Sequence, residues 1–84
     1  VHINNDLSPD QTVVELQIVD RLGLLHDIFM AIGRLGLSVT HARIATEKGV
    51  ALDSVYVQDE NGRKLRDRRA LDRLRARIED AVFG

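Results

Sequence analysis

The sequence predicts an α+β domain in which two helices cover one face of a four-stranded antiparallel sheet, in the order ββαββα. Three patterns predict this fold class. Alternating apolar residues indicate strands, two apolar stripes with helical spacing indicate helices, and short turn sequences separate the elements. A chain of 84 residues has room for one hydrophobic core, so we treat residues 1–84 as a single domain.

The first two strands are predicted ahead of the first helix. Apolar residues alternate with polar ones over Val14–Ile18, which predicts a half-buried strand at Thr12–Val19. The shorter apolar alternation of Val1–Asn4 predicts a strand at the sheet edge, joined to the longer one by the turn-rich loop 6–10. We therefore expect Val1–Asn4 to pair antiparallel with part of Thr12–Val19.

Both helices are predicted from apolar stripes. The first begins at Leu24 and ends at Gly36, a residue suited to the left-handed conformation that follows many helices. The second is expected to begin at Asp67, which can act as its N-cap. The stripes are Leu25, Ile28, Phe29, Ile32 and Leu35 in the first helix, and Ala70, Leu71, Leu74, Ile78 and Ala81 or Val82 in the second.

Two further strands are predicted between the helices. Leu37–Thr46 and Val50–Val57 form a hairpin around a short turn. The apolar positions change parity between Val39 and Ala42, which predicts a bulge at Thr40–His41. With both helices on one face, this order is a permuted ferredoxin-like sandwich, in which the N-terminal strand replaces the usual last strand. Leu37–Thr46 is then expected to lie at the other edge.

The composition excludes several kinds of site. Twelve Lys and Arg against thirteen Asp and Glu give a net charge of −1, which predicts neither a nucleic-acid nor a membrane partner. The absence of cysteine excludes disulfides, thiolate metal sites and a cysteine nucleophile. His2, His26 and His41 lack the spacing of metal ligands, so we expect no metal. Three His, one Tyr, no Trp and no Cys leave few candidates for a reactive cluster, so we also expect no catalytic residue and no cofactor. Because the chain begins without Met, we expect it to be part of a longer protein.

Residues 63–77 form a basic stretch, in which eight basic residues against two acidic ones give a local net charge of +6. We interpret it as a solvated helix face, with docking against an acidic surface of a longer protein as the alternative. An RNA-binding sheet is disfavoured because it needs stacking aromatics. The three aromatic residues are Phe29, Tyr56 and Phe83, and Phe29 belongs to a helix stripe.

The segment Asp20–Ile28 has the clearest functional signal. A strand ends there, the chain turns at Gly23 and a helix begins at once. The free amides and the dipole of a helix N-terminus can hold a carboxylate or another anionic group. The structural alternative is that Gly23 only permits a tight turn, with Asp20 or Asp27 as the helix cap. Asp53, on a predicted strand, is interpreted as structural.

Several short motifs follow one another along the chain. They are Asp20-Arg21-x-Gly23-Leu24-Leu25, Gly36-Leu37-Ser38-Val39, Ala42-Arg43-Ile44-Ala45-Thr46, Ala51-x-Asp53-x-x-Tyr56-Val57-x-Asp59 and Gly62-x-Lys64-Leu65. Their order and spacing resemble those of ACT domains, which are small regulatory modules that bind amino acids. The resemblance covers nearly the whole chain. Leu22 departs from the pattern, because the family usually has proline there, and this makes the loop less rigid.

The subtype that the chain resembles most is the C-terminal ACT repeat of bacterial PII uridylyltransferase/uridylyl-removing enzymes, which sense glutamine. The opening Val1-x-Ile3-x-Asn5, followed by Ser8 and Thr12-Val13, also fits that subtype. The resemblance implies an amino-acid site in the first strand-to-helix loop, often shared between paired domains. The implied site residues are Asp20, Arg21, Leu22, Gly23, Leu24 and Leu25, with Ser38 and His41 facing the loop of a neighbouring domain.

The resemblance also implies how the site works. Asp20 accepts from the ligand ammonium group, and the amides after Gly23 hold the α-carboxylate. The implied function is control of nitrogen-status signalling by glutamine in a bacterial, cytoplasmic uridylyltransferase, a nucleotidyltransferase whose ACT domain is not itself catalytic. A second ACT domain, in a homodimer or a tandem repeat, is the implied protein partner.

There are three alternatives to this function, of which two stay open and one is disfavoured. The terminal ACT domain of a (p)ppGpp synthetase/hydrolase explains Asp20–Ile28, but it explains neither Ala42–Thr46 nor Asp53–Leu65. A pure dimerisation module without ligand is compatible with the sequence. A small acylphosphatase-like hydrolase is disfavoured, because it needs a water-positioning Asn that Leu37–Thr46 lacks.

Overall fold

The computed structural model describes residues 1–19 and 22–83 and confirms the predicted order of elements. The elements are β1 (His2–Asn4), β2 (Thr12–Val19), α1 (Leu24–Arg34), β3 (Ser38–Glu47), β4 (Val50–Gln58) and α2 (Arg68–Phe83). The four strands lie in the order β1-β2-β4-β3, and each neighbouring pair is antiparallel. The fold is therefore the predicted α+β ferredoxin-like arrangement.

The two edge strands are those predicted from the sequence. In β1, Ile3 lies opposite Val14 of β2, so the N-terminal segment adds an antiparallel edge strand. At the other edge, the register between β3 and β4 shifts between Val39 and His41. The shift leaves Thr40 as the extra residue of a bulge, which is the cause of the parity change seen in the sequence.

The core lies between the sheet and the two helices. Because side chains alternate along a strand, one face of β2 and β4 turns its apolar residues toward α1 and α2. Leu65 joins them from the segment between β4 and α2, which has no regular structure. The buried cluster consists of Val14, Leu16, Leu24, Ile28, Ile32, Val55, Val57, Leu65, Leu74 and Ile78.

The helix ends follow from local sequence. Gly36 has a φ of 77° and closes α1 with two hydrogen bonds, from its own amide to Gly33 and from the Leu37 amide to Ile32. At the start of α2, the carboxylate of Asp67 accepts from the Arg69 amide at 3.2 Å, as expected of an N-cap. Neither helix in the described part of the chain is long and apolar enough to cross a membrane.

Candidate functional site

The predicted ligand loop lies at the end of the sheet where β2 finishes and α1 begins. Val19, the last residue of β2, is opposite Val50 of β4, which is opposite Glu47 of β3. The loop and the β3–β4 turn therefore lie at the same end of the domain. Asp20 and Arg21, two of the predicted site residues, fall outside the described residues.

Gly23 determines how α1 begins. It has φ 78° and ψ 2°, a left-handed conformation that glycine adopts without steric cost. Its carbonyl oxygen accepts from the Asp27 amide at 3.0 Å, which is the first hydrogen bond of the helix. The amides of Leu24, Leu25 and His26 therefore have no acceptor within α1.

The backbone around Gly23 is open. Gly23 has no side chain with which to cap α1, and within residues 1–19 and 22–83 a Cβ atom at this position would meet no atom within 4 Å. A small anionic group can therefore approach the glycine and the amides of the first turn. Asp27 lies in that turn, where its negative charge suits the helix dipole and attracts an ammonium group.

The three predicted leucines have different environments. Leu22 is fully exposed at 101%, and Leu25 is half-buried. Leu24 is only 2% exposed and belongs to the buried cluster, so it anchors the start of α1 in the core. The groups of the loop that face solvent are thus Leu22, Gly23, part of Leu25 and the exposed His26.

Ser38 and His41 lie far from the loop of their own chain. His41 is opposite Tyr56, which is opposite Val13, six residues before Val19. At about 3.3 Å per residue, this places His41 roughly 20 Å along the sheet from the loop. Ser38 begins β3 and is farther still. One chain therefore does not bring the predicted residues together, and a second domain is needed to do so.

The β3 edge around His41 is exposed and polar. The His41 ring contacts the Tyr56 ring edge-to-face, with centroids 5.4 Å apart and planes at 64°. The Thr40 hydroxyl accepts from Gln11 Nε2 at 2.7 Å. Ser38 and His41 are both exposed. This surface offers hydrogen-bonding side chains to a neighbouring domain.

Within the described part of the chain, acidic and histidine side chains do not gather into a metal site. Among residues 1–19 and 22–83, no three of them are placed to hold a metal ion. Asp53 is 3% exposed and lies on β4, opposite Leu16 on one side and Ile44 on the other. This burial favours the structural role that the sequence predicts for Asp53.

A partly buried cluster of hydrogen bonds joins distant parts of the chain, and the sequence alone predicted no role for it. Its members are Asn5, Thr12, Lys64 and Leu65, which are linked by hydrogen bonds between side chains and backbone. All four occur in the motifs that resemble ACT domains, and this was the one signal in the sequence that could have pointed to the cluster. The cluster lies near the beginning of β2, at the end of the sheet opposite the ligand loop.

Comparison with known proteins finds one family over the whole chain. A family model described as "ACR9-like, ACT-like domain" matches residues 1–84. The chain is 42% identical over 82 residues to the bifunctional uridylyltransferase/uridylyl-removing enzyme of Caulobacter vibrioides (strain NA1000 / CB15N), covering 98% of this chain and 9% of that protein. The enzyme of the same name from Azospirillum brasilense is 37% identical, with the same coverage.

A plant protein is also similar. The chain is 33% identical over 79 residues to the ACT domain-containing protein ACR6 of Arabidopsis thaliana, covering 94% of this chain and 18% of that protein. The chain thus spans less than a fifth of each of these relatives. No solved structure matches the chain significantly.

Proposed function

We propose a function from the premise that the chain belongs to the family of ACT-like domains. It is a regulatory ACT domain, homologous to parts of uridylyltransferase/uridylyl-removing enzymes and of plant ACR proteins. The proposal is that it senses glutamine in a bacterial, cytoplasmic enzyme of the first kind. The higher identity to the Caulobacter enzyme (42%) than to ACR6 (33%) supports this choice over a plant-type ACR protein.

The observation that carries the proposal is the left-handed Gly23 at the start of α1. The turn leaves the amides of Leu25 and His26 without an acceptor in the helix, in a place open to solvent. In the proposed site these amides hold the α-carboxylate of the amino acid, aided by the helix dipole. Asp20, and Asp27 in the first turn, supply carboxylates for the ammonium group.

A second domain completes the proposed site. Ser38 and His41 lie about 20 Å or more from the loop of their own chain, so they can serve it only from a neighbour. β3 is an edge strand, and its side chains from Thr40 to Glu47 are exposed apart from Ala42. Pairing along this edge, in a homodimer or between tandem repeats, would place Ser38 and His41 at an interface.

Regulation follows if glutamine binds two arrangements of the longer protein unequally. In the proposed enzyme, the glutamine-bound domain favours removal of UMP from PII, and the free domain favours its addition. The ACT domain takes no part in the bond-making step, which belongs to a nucleotidyltransferase domain elsewhere in the protein. The ACT domain contributes the difference between the free energies with which glutamine binds the two arrangements.

The direct test is a titration of the ¹⁵N-labelled chain with glutamine, followed by amide chemical shifts. We expect the amides of Gly23, Leu25 and His26 to shift first and to saturate. Glutamate serves as the matched ligand, because its side chain has nearly the same shape but is charged and lacks the amide N–H donors. Absence of shifts at about 10 mM glutamine, or shifts confined to α2, would contradict the proposed site.

A second candidate is a pairing module that binds no amino acid. The match to an ACR9-like model and the similarity to ACR6 support it, because those proteins are described only by their ACT domains. The two candidates differ in one measurement. A chain that dimerises in sedimentation experiments but shows no amide chemical-shift changes with any of the twenty common amino acids is a pairing module.

A further inference from the structure

Helices α1 and α2 form a groove that contains exposed apolar side chains. Met30 of α1 is 44% exposed and Phe83 of α2 is 72% exposed, and both line this groove together with Ala31. Large apolar side chains that stay in water cost free energy, which covering them would recover. Because these side chains lie between two helices, the exposed apolar surface is an elongated groove.

Arginines stand on both sides of the same groove. Arg34 is the last residue of α1, and Arg73 and Arg77 lie four residues apart on α2, so that they are neighbours about 6 Å apart on its surface. No ion pair or hydrogen bond of these three guanidinium groups is found among residues 1–19 and 22–83. Arginine binds carboxylates in a planar, bidentate manner, so these groups favour an acidic partner.

The acidic and basic side chains of the groove lie toward opposite ends of it. Because β2 and β4 are antiparallel, α1 and α2 start from opposite ends of the sheet. Asp27 in the first turn of α1 therefore lies at the same end as Asp80 in the last turn of α2. Arg34 and Arg73 lie toward the other end, and Arg77 lies between.

We propose that this groove docks an amphipathic helix of a protein partner. Its apolar residues would lie against Met30 and Phe83, and its carboxylates would bind Arg34, Arg73 and Arg77. The interval from Asp27 to Arg34 spans about 10 Å along α1, which corresponds to about two turns of the docked helix. The net charge of +6 in residues 63–77 attracts the carboxylate-bearing half of the docked helix before contact.

A nucleic acid fits the groove less well than a helix that carries carboxylates at one end and cations at the other. Its evenly spaced phosphates would meet Asp27 and Asp80 at one end, whereas a protein segment can place positive residues there. Among the described residues, Phe83 of α2 and His26 of α1 are the two whose rings line the groove, so it has no series of rings on which successive bases could stack. The sorted charges thus favour a protein segment.

The test uses a fluorescein-labelled amphipathic peptide of about 14 residues, with glutamates in one half, lysines in the other and leucines at helical spacing. Binding is followed by fluorescence anisotropy with the full chain. We expect saturable binding that becomes at least about tenfold weaker in Arg73→Glu/Arg77→Glu and for a peptide with glutamine in place of glutamate. The amides of Met30 and Ala31 should shift on binding.

The matched control is Arg63→Glu/Arg66→Glu, which makes the same change of net charge in the same basic stretch but outside the groove. It should alter binding by less than about twofold. Equal weakening by both double variants would overturn the proposal, because the attraction would then be diffuse. So would tighter binding of a labelled oligouridylate of similar length, or no peptide binding at about 1 mM. Circular dichroism confirms that each variant is folded.

Discussion

The hydroxyl of Thr12 accepts a hydrogen bond from the Leu65 amide at 2.9 Å, across 53 residues of sequence. It donates a second bond to Asn5 Oδ1 at 2.7 Å, and Asn5 Nδ2 donates to the Leu65 carbonyl oxygen at 2.6 Å. Lys64 Nζ donates to the Asn5 carbonyl oxygen at 2.5 Å. These bonds fasten the segment that leads into α2 to the start of β2, and they hold Leu65 in the core.

Replacing Thr12 by valine is expected to destabilise the domain by about 2 kcal/mol, because the buried Leu65 amide and the partly buried Asn5 Oδ1 lose their partner. Thr12→Ser keeps the hydroxyl and is expected to cost only about 1 kcal/mol, from one lost methyl group. Urea unfolding followed by circular dichroism measures both. Thr46→Val, at an exposed edge position, is the control. A Thr12→Val domain as stable as Thr12→Ser would show that the hydrogen bonds contribute little.

Leu65 is expected to depend on the same bonds. Leu65→Ala should cost about 3 kcal/mol, because it empties a core position. In a double-mutant cycle with Thr12→Val, the two losses should differ from additivity by about 1 kcal/mol, since both release the same segment. Ile28→Ala is the matched core variant and should be closer to additive with Thr12→Val. Equal coupling energies of Ile28→Ala and Leu65→Ala with Thr12→Val would contradict the idea that the Thr12 bonds hold the Leu65 segment in particular.

The elements were predictable because their signals are local. Alternation gives β2, helical stripes give α1 and α2, and the parity change between Val39 and Ala42 gave the bulge. The pairing of β1 with β2 was predictable as well, because the order of elements left one place in the sheet unfilled. All of these depend on neighbouring residues or on short connections.

Other features were not predictable, because the residues that make them are distant in the sequence. Asn5 and Leu65 are 60 residues apart, and polar residues in irregular segments have no periodicity to read. Leu24 belongs to a motif associated with ligand, yet the packing of α1 turns it into the core. The distance between the loop and His41 follows from strand register, which became known only with the sheet order.

Gly23 and Gly62 offer a matched pair for testing the ligand loop. Both have a left-handed φ, 78° and 75°, and a Cβ atom would meet nothing within 4 Å at either position. Alanine should therefore cost about 1–2 kcal/mol of stability at each. Gly23→Ala alone should weaken glutamine binding, by about tenfold, because its methyl group occupies the approach to the helix amides. Isothermal titration calorimetry measures this, and equal affinity in the two variants would remove Gly23 from the site.

Pairing along the β3 edge is the last prediction. β3 is an edge strand whose exposed side chains are small or polar at several positions, and only Arg43 and Glu47 oppose the approach of another strand by charge. A small domain also gains stability by burying further apolar surface. We therefore expect the chain to dimerise at tens of micromolar in sedimentation equilibrium, if its partner is a second copy rather than a tandem repeat.

Proline at Ala42 and at Ala45 separates edge pairing from the stability of the sheet. These positions have opposite parity, so the amide of one residue points toward β4 and that of the other points outward. Proline removes the amide donor at either position. The variant that loses an inward amide should be strongly destabilised, whereas the other should stay folded and sediment as a monomer. A folded variant that still dimerises would show that the domains pair elsewhere, and a strictly monomeric unmodified chain would leave only pairing with a tandem repeat.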